Sequence, residues 1–196
     1  MLPVATFASS LHPTPYQTPG PFYPAHLPLD SDNNLVDVQG HDKSATGQVT
    51  HIFGRLIDPN GRAVNNAEIE IWQCDAYGFY HHTKDRGGAI DINFQGFGRT
   101  VVAKDGSYRF RTIRPMPYPG RTPHIHFRVV GRGIETLTTQ MYVAGDPRND
   151  NDFILNSVRD PQARASLIIP LESTPDIEPD ALAGIFDIVL GLSPSM

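Results

Sequence analysis

The chain has 196 residues, 39% of them apolar and 19% charged, with a net charge of −5 and one cysteine, Cys74. That length suits one well-buried core, and an acidic balance without any lysine or arginine run speaks against nucleic acid or an anionic membrane surface as a partner. A lone cysteine allows neither an intramolecular disulfide nor a cysteine-rich zinc or iron–sulfur site, and no apolar run approaches the ~20 residues of a membrane span.

Residues 1–50 are rich in Pro, Thr, Asp and Asn and show no sustained periodicity. They predict an extended arm that wraps its own core or a neighbouring subunit. The opening MLPVATFASSLHPTP lacks a basic region and soon meets prolines, which gives the expectation of a soluble cytoplasmic protein. Residues 51–196 are expected to form one β-sandwich domain. HIFGRLI is followed by Asp58, Pro59, Asn60 and Gly61, a strong turn signal. In AEIEIWQ, Ile69 and Ile71 alternate with Glu68 and Glu70 at the strand period of two. SYRFRTI, HIHFRVV and TLTTQMYV continue the series, and GIFDIVL near the C-terminus is predicted as the last strand. DPQARASLII at 160–169 predicts a short helix with Asp160 as N-cap and Pro161 in its first turn. Many short strands, one or two short helices and no βαβ rhythm predict an all-β fold, an antiparallel sandwich with an N-terminal arm.

Chemistry concentrates in PMPYPGRTPHIHF, residues 115–127. On HIHFRVV, alternation puts Ile125, Phe127 and Val129 on the core face and His124, His126 and Arg128 on the other. The two histidines either dress a strand edge or offer paired imidazoles to a metal. Cys74, beside Trp72, reads as buried packing. Tyr118, in a loop stiffened by Pro117, Pro119 and Pro123, and Tyr80, in AYGFYHH, are the better-placed further donors. Ionising a phenol whose ordinary pKa is near 10 takes a strong Lewis acid, which favours ferric iron over zinc. His81 and His82 read as exposed strand-end residues, and Glu68, Glu70 and Arg128 as solvated or intersheet polar groups. Asp85 and Arg86 are expected to brace the loop around Tyr80.

The chain resembles the intradiol ring-cleaving dioxygenases, most closely the catalytic chain of their protocatechuate-cleaving members. The resemblance runs from about Thr18 to Leu190 through TPGPFY, HIFGRLIDPNGRAV, EIEIWQCDAYGFYHH, FQGFGRT, DGSYRFRTIRPMPYPGR, PHIHF, TTQMYVAGDP and FDIVL. It implies one non-haem Fe(III) per site, held by Tyr80, Tyr118, His124 and His126, with no organic cofactor. Arg121 matches the family's active-site arginine and Gln140 a glutamine lining the pocket. Ile154 matches an apolar residue against the substrate ring, and Gly20, Pro21, Phe22 and Tyr23 a stretch that closes the pocket. The implied reaction joins a catechol and O₂ and cleaves between the hydroxylated carbons to a cis,cis-muconate. In it Tyr118 serves as ligand and base, and Arg121 and Gln140 stabilise developing charge.

One departure bears on substrate. The protocatechuate-cleaving members carry a longer loop between the second tyrosine and the histidines, with a tryptophan where this chain has Gly120. The pocket rim is therefore expected to be more open, or completed by a neighbour's arm. Residues 1–50 cannot supply the helical N-terminal domain of the catechol and hydroxyquinol enzymes, so protocatechuate is the expected substrate, with hydroxyquinol or another substituted catechol as the alternative. A non-catalytic sandwich, as a partner subunit or binding module, is the rival of another class. The resemblance also implies a homo-oligomer, or a hetero-oligomer with a related non-catalytic chain.

Overall fold

The computed structural model describes residues 11–85 and 87–191. Two five-stranded sheets face each other across the core. In the first, β1 (Val49–Ile57) pairs antiparallel with β4 (Ser107–Ile113), and parallel with the short strands β9 (Leu182–Ile185) and β10 (Ile188–Val189). β8 (Glu172–Ser173) extends β9. The second sheet has the order β3 (Phe97–Val101), β2 (Ala67–Trp72), β5 (His124–Gly131), β6 (Ile134–Val143) and β7 (Ile168–Ile169). The all-β sandwich is as expected. Its long strands pair antiparallel, while β7, β9 and β10 join them in parallel and make both sheets mixed.

The expected strand GIFDIVL follows β1 but is broken at Phe186–Asp187. There the Asp187 carboxylate, in place of a backbone carbonyl, accepts the Arg55 N–H at 2.8 Å. Tyr108 crosses over Gly54 to donate its hydroxyl to the Phe186 carbonyl. A Cβ on Gly54 would overlap both groups, so only glycine fits the crossing.

The core alternation is realised as predicted. Ile52, Leu56 and Phe110 from the first sheet meet Ile69, Ile71, Ile125, Phe127 and Val129 from the second, all fully buried. Each such side chain contributes about 1.5–3 kcal/mol by leaving water. The Asp58 turn forms with the Asp58 carbonyl accepting the Gly61 N–H at 2.9 Å and Gly61 at φ +77°.

Two short helices follow β6: α1 (Phe153–Asn156), preceded by a 3-10 turn at Pro147–Asn151, and α2 (Pro161–Ala165). Asp160 caps α2 as expected, but the helix stops at Ala165 rather than 169. Leu167 is drawn fully into the core and Ile168–Ile169 pair with Tyr142–Val143. Burial on the sheet therefore overrides helical continuation. No helix among the described residues is long and apolar enough to cross a membrane.

Residues 11–48 carry no helix and only a single bridge, Asn34 with Arg111. Leu35 and Val36 are nonetheless buried in the sandwich core, and the Gln17 N–H bonds the Thr138 carbonyl of β6 at 2.7 Å. Its Gly20–Tyr23 stretch lies over the outer face of β2 and β5, the face that carries the two histidines, with Gly20 against His126 and Tyr23 against Trp72 and Arg128.

Candidate metal and active site

The sequence Tyr118-Pro119-Gly120-Arg121 closes a tight turn. The Arg121 N–H bonds the Tyr118 carbonyl at 2.9 Å, and Gly120 has φ +80°. Proline at the second position and a left-handed glycine at the third are what a type II turn requires. The turn sets Tyr118 and Arg121 side by side, with Arg121 Nη1 3.4 Å from the Tyr118 hydroxyl. A short loop thus delivers two functional groups together.

β5 follows at once. His124 and His126 are both 1% exposed, their ring centroids 4.9 Å apart. His124 Nδ1 lies 2.7 Å from the Thr122 carbonyl, which makes it the protonated nitrogen. Nε2 is then left with its lone pair, 3.5 Å from the Tyr118 hydroxyl. Tyr80 arrives from a loop shaped by carboxylates. Asp75 accepts the Tyr77 and Phe79 N–H groups at 2.9 and 3.0 Å, and Asp85 accepts the Tyr80 N–H at 2.7 Å. The expected bracing by Asp85 is present; Arg86 lies outside the described residues. The Tyr80 ring sits edge-on to Tyr118 at 5.7 Å and 6.4 Å from His126.

Arg121 is buried and fully engaged. Nε donates to Asp152 at 2.8 Å and Nη2 to Gln140 Oε1 at 2.6 Å. Gln140 in turn donates to the Thr18 carbonyl at 2.9 Å and accepts the Tyr142 hydroxyl at 3.1 Å. Burial works against the guanidinium charge, but Asp152 and Tyr118 outweigh it, and the Arg121 pKa is raised. Burial also opposes the Asp152 carboxylate, yet the Leu155 N–H and Arg121 hold it below the ordinary aspartate value. The carboxylate thus holds the guanidinium cation in a fixed place at the site's edge.

The four candidate ligands have the electrostatics that a cation site needs. Burial, then Arg121, pushes His124 down to about 3, and burial, then His124, pushes His126 well below 6.5. Both imidazoles are therefore neutral donors at ordinary pH. Burial raises both phenols above 10, Tyr80 most of all. Their ionisation needs a strongly charged cation beside them. Tyr80 Oη and His126 Nδ1 are buried without a hydrogen-bond partner among the described residues. No three His, Cys, Asp or Glu side chains among those residues converge on a metal position. A metal here would have to draw on the phenols, and a hard ferric ion suits that donor set.

A cleft of about 470 Å³ opens beside Tyr118, with Gly120, Arg121, Arg148, Asn151 and Asp152 in its walls. Gly20, at φ +66°, lies against the His126 ring, where a Cβ would stand 3.6 Å from Cε1. Phe22 stacks on Tyr80 at 4.6 Å. Pro21 is exposed, and Ile154 offers its backbone carbonyl to Gln17 at 3.3 Å. Tyr23 turns away from the phenols and packs edge-on against Trp72 at 5.0 Å. The structure thus brings Tyr80, Tyr118, His124, His126, Arg121, Gln140 and Gly20 together, with Gly120 on the rim.

Two expectations are corrected and one is met. Glu70, expected as a solvated or intersheet polar group, is only 5% exposed and is covered by Tyr23 of the arm and by Arg128 of its own sheet. His81 and His82 are half-buried instead of exposed, their rings edge-on to Phe94 and Phe22. Cys74 is buried packing as expected, and burial pushes its thiol up to about 12.

Sequence reasoning missed Asp152, Trp72 and Gln17. Asp152 had a visible signal, an aspartate just before the apolar run FIL, which is an N-cap pattern. Trp72, stacked on His126 at 4.7 Å and 5°, and Gln17, bonded to Tyr142, had none beyond their place on a strand and in the arm.

The family model described as Dioxygenase matches residues 18–191. The protocatechuate 3,4-dioxygenase beta chain of Burkholderia cepacia is 38% identical over 172 residues, covering 83% of this chain and 72% of that one. The hydroxyquinol 1,2-dioxygenase of Rhodococcus opacus is 33% identical over 161 residues, 72% of this chain and 50% of that one. The solved catechol 1,2-dioxygenase of Acinetobacter sp. ADP1 superposes with a TM-score of 0.69 at 28% identity, over 91% of this chain and 62% of that one. The chain therefore spans about half the length of the hydroxyquinol enzyme and most of the protocatechuate beta chain. With nearly its whole length matched, the chain belongs to the intradiol ring-cleaving dioxygenase family.

Proposed function

We propose that this chain cleaves a catecholic ring with O₂ between its two hydroxylated carbons, using one non-haem Fe(III) held by Tyr80, Tyr118, His124 and His126. The observation that carries the reading is the convergence of two neutral imidazoles and two phenols, with Tyr80 Oη buried and without a hydrogen-bond partner among the described residues. When bound, a ferric ion would acidify both substrate hydroxyls and lend the ring the electron density to react with O₂. Both oxygen atoms end in the product, so no reductant or organic cofactor is needed.

The chain's own groups have distinct tasks. Tyr118 is half-buried at the cleft, and its oxygen, held as phenolate by a bound ferric ion, would be the proton acceptor for one substrate hydroxyl. Arg121, 3.4 Å from that oxygen, favours negative charge there and at the substrate oxygen beside it. Gln140 and Asp152 fix the guanidinium, so the charge is in place before substrate arrives. Gly20 lets the arm approach His126 closely, and Gly20, Pro21, Gly120 and Ile154 complete the proposed pocket shell, whereas Tyr23, expected in that shell, is turned away against Trp72. Residues 1–50 act as the arm that closes it, and residues 51–196 supply the catalytic sandwich.

Protocatechuate, opened to 3-carboxy-cis,cis-muconate, is the proposed substrate. The similarity to a protocatechuate dioxygenase beta chain supports it, as does the cationic Arg148 in the cleft wall, which suits a ring carboxylate. Similarity to a hydroxyquinol 1,2-dioxygenase favours hydroxyquinol as the second reading. A cytoplasmic location and assembly into an oligomer, with itself or a related chain, belong to the same proposal. Iron-loaded protein is to be mixed with protocatechuate, hydroxyquinol and catechol in turn under O₂, and the products identified. Carboxymuconate formed with the highest kcat/KM supports the proposal; preference for another catechol refutes the substrate, and no ring-opened product refutes the reaction.

A further inference from the structure

His126 lacks the support that His124 has. Metal-binding histidines ordinarily donate their second ring N–H to a carbonyl or carboxylate, which fixes the ring plane. His124 has such a contact with the Thr122 carbonyl at 2.7 Å, whereas His126 Nδ1 is buried with no partner among the described residues. What touches the His126 ring is Trp72, stacked face to face at 4.7 Å and 5°. Trp72 Nε1 is itself buried without a hydrogen-bond partner among the described residues, where packing alone sets the indole plane.

The strand register explains what that packing rests on. Trp72 faces His126 across the β2–β5 ladder, and two residues along, Glu70 faces Arg128. With a side-chain period of two, both pairs lie on the same sheet face. Tyr23 of the arm covers both pairs. Its ring meets Trp72 edge-on at 5.0 Å and 88°, and its hydroxyl donates to Glu70 at 3.0 Å. Arg128 Nη1 donates to that hydroxyl at 2.9 Å and to Glu70 at 3.1 Å, with its guanidinium carbon 5.2 Å from the Tyr23 ring centre. A buried carboxylate, a guanidinium and a phenol thus immobilise the ring that packs against the indole on His126.

We infer that Tyr23, Glu70 and Arg128 form a brace that positions the His126 imidazole through Trp72, in place of a second hydrogen bond that the described residues do not supply. The inference rests on the ferric reading of the site and makes these three positioning residues that never touch substrate. The brace also sets where Gly20 and Phe22 lie, three residues and one residue before Tyr23, against His126 and Tyr80.

The test uses Tyr23→Phe, which removes only the hydroxyl, with Arg128→Met and the charge-conserving Arg128→Lys. Two readouts are taken: the rate at which a chelator strips ferric ion from loaded protein, and acrylamide quenching of Trp72, the only tryptophan, in metal-free protein. The brace predicts release about tenfold faster in Tyr23→Phe and Arg128→Met, Arg128→Lys nearer to wild type, and easier quenching of Trp72 in the first two. Release and quenching equal to wild type in Tyr23→Phe overturn it, however far the unfolding temperature falls. Easier quenching with unchanged release also overturns it, since the contacts then only fasten the arm. Wild-type protein that takes up no ferric ion refutes the proposed function instead, and Trp72 quenching alone then decides whether the brace orders this face.

Discussion

Asp152 and Arg121 are joined at 2.8 Å by an ion pair that also ties two loops together. One carboxylate oxygen of Asp152 accepts the Ile154 and Leu155 N–H groups and caps α1, and the other takes Arg121 Nε and the Thr122 N–H. The guanidinium that faces Tyr118 is therefore anchored to a helix start thirty-one residues away.

Removing the carboxylate should hurt twice. Asp152→Ala leaves Arg121 buried without its counter-ion and is expected to cost about 3–5 kcal/mol in thermal or denaturant unfolding. Asp152→Asn keeps a capping oxygen and should fold better, yet let Arg121 drift and lower kcat/KM by about 10²-fold. The Asp152 pKa is depressed below 3.8 in the fold. Its stabilisation is therefore complete above that pH and lost as pH falls through the folded-state value. Wild type but not Asp152→Asn should show this acid-induced loss.

Tyr118→Phe should separate chemistry from folding. The hydroxyl's contacts are long, 3.4 Å to Arg121 and 3.5 Å to His124, so little stability depends on them. The unfolding temperature is expected to stay near wild type while kcat falls by roughly 10²–10⁴. Turnover equal to wild type would remove Tyr118 from the role of proton acceptor.

Gly120 tests the turn. Nothing lies within 4 Å of a Cβ built there, but its φ is +80°. Gly120→Ala should therefore cost about 1–2 kcal/mol from backbone conformation alone, and loosen the Tyr118–Arg121 juxtaposition enough to lower kcat/KM. Chemical denaturation and steady-state kinetics check the two effects separately.

Cys74 should be inert in the native protein. Burial pushes its thiol up to about 12, and its sulfur donates to the Met116 carbonyl at 3.3 Å. Thiolate is scarce at any pH below that value, so a disulfide reagent at pH 8 should label it only after unfolding. Stoichiometric labelling of the folded protein would contradict this burial.

Local rules made much of the molecule legible in the sequence. Alternation in HIHFRVV separated the core residues Ile125, Phe127 and Val129 from the histidines, and Asp160-Pro161 marked a helix start. Pro119-Gly120 carried the turn that pairs Tyr118 with Arg121, although its consequence appears only in three dimensions. What stayed hidden depends on contacts between segments far apart in the chain. Glu70 reads as a solvated or intersheet polar residue, and nothing in the sequence shows that Tyr23, from the arm, covers it. Likewise α2 ends early because Ile168 and Ile169 find an edge on β6. Trp72 against His126 is a cross-strand pair, invisible until the β2–β5 register is known.

The most direct measurement of the central claim is the visible and resonance Raman spectrum of the ferric-loaded protein, compared with Tyr80→Phe and Tyr118→Phe. Two phenols, His124 and His126 as ligands predict a coloured wild type with phenolate vibrations, and each single variant losing part of that signal. A colourless wild type at full iron occupancy, or a spectrum unmoved by both substitutions, would contradict it.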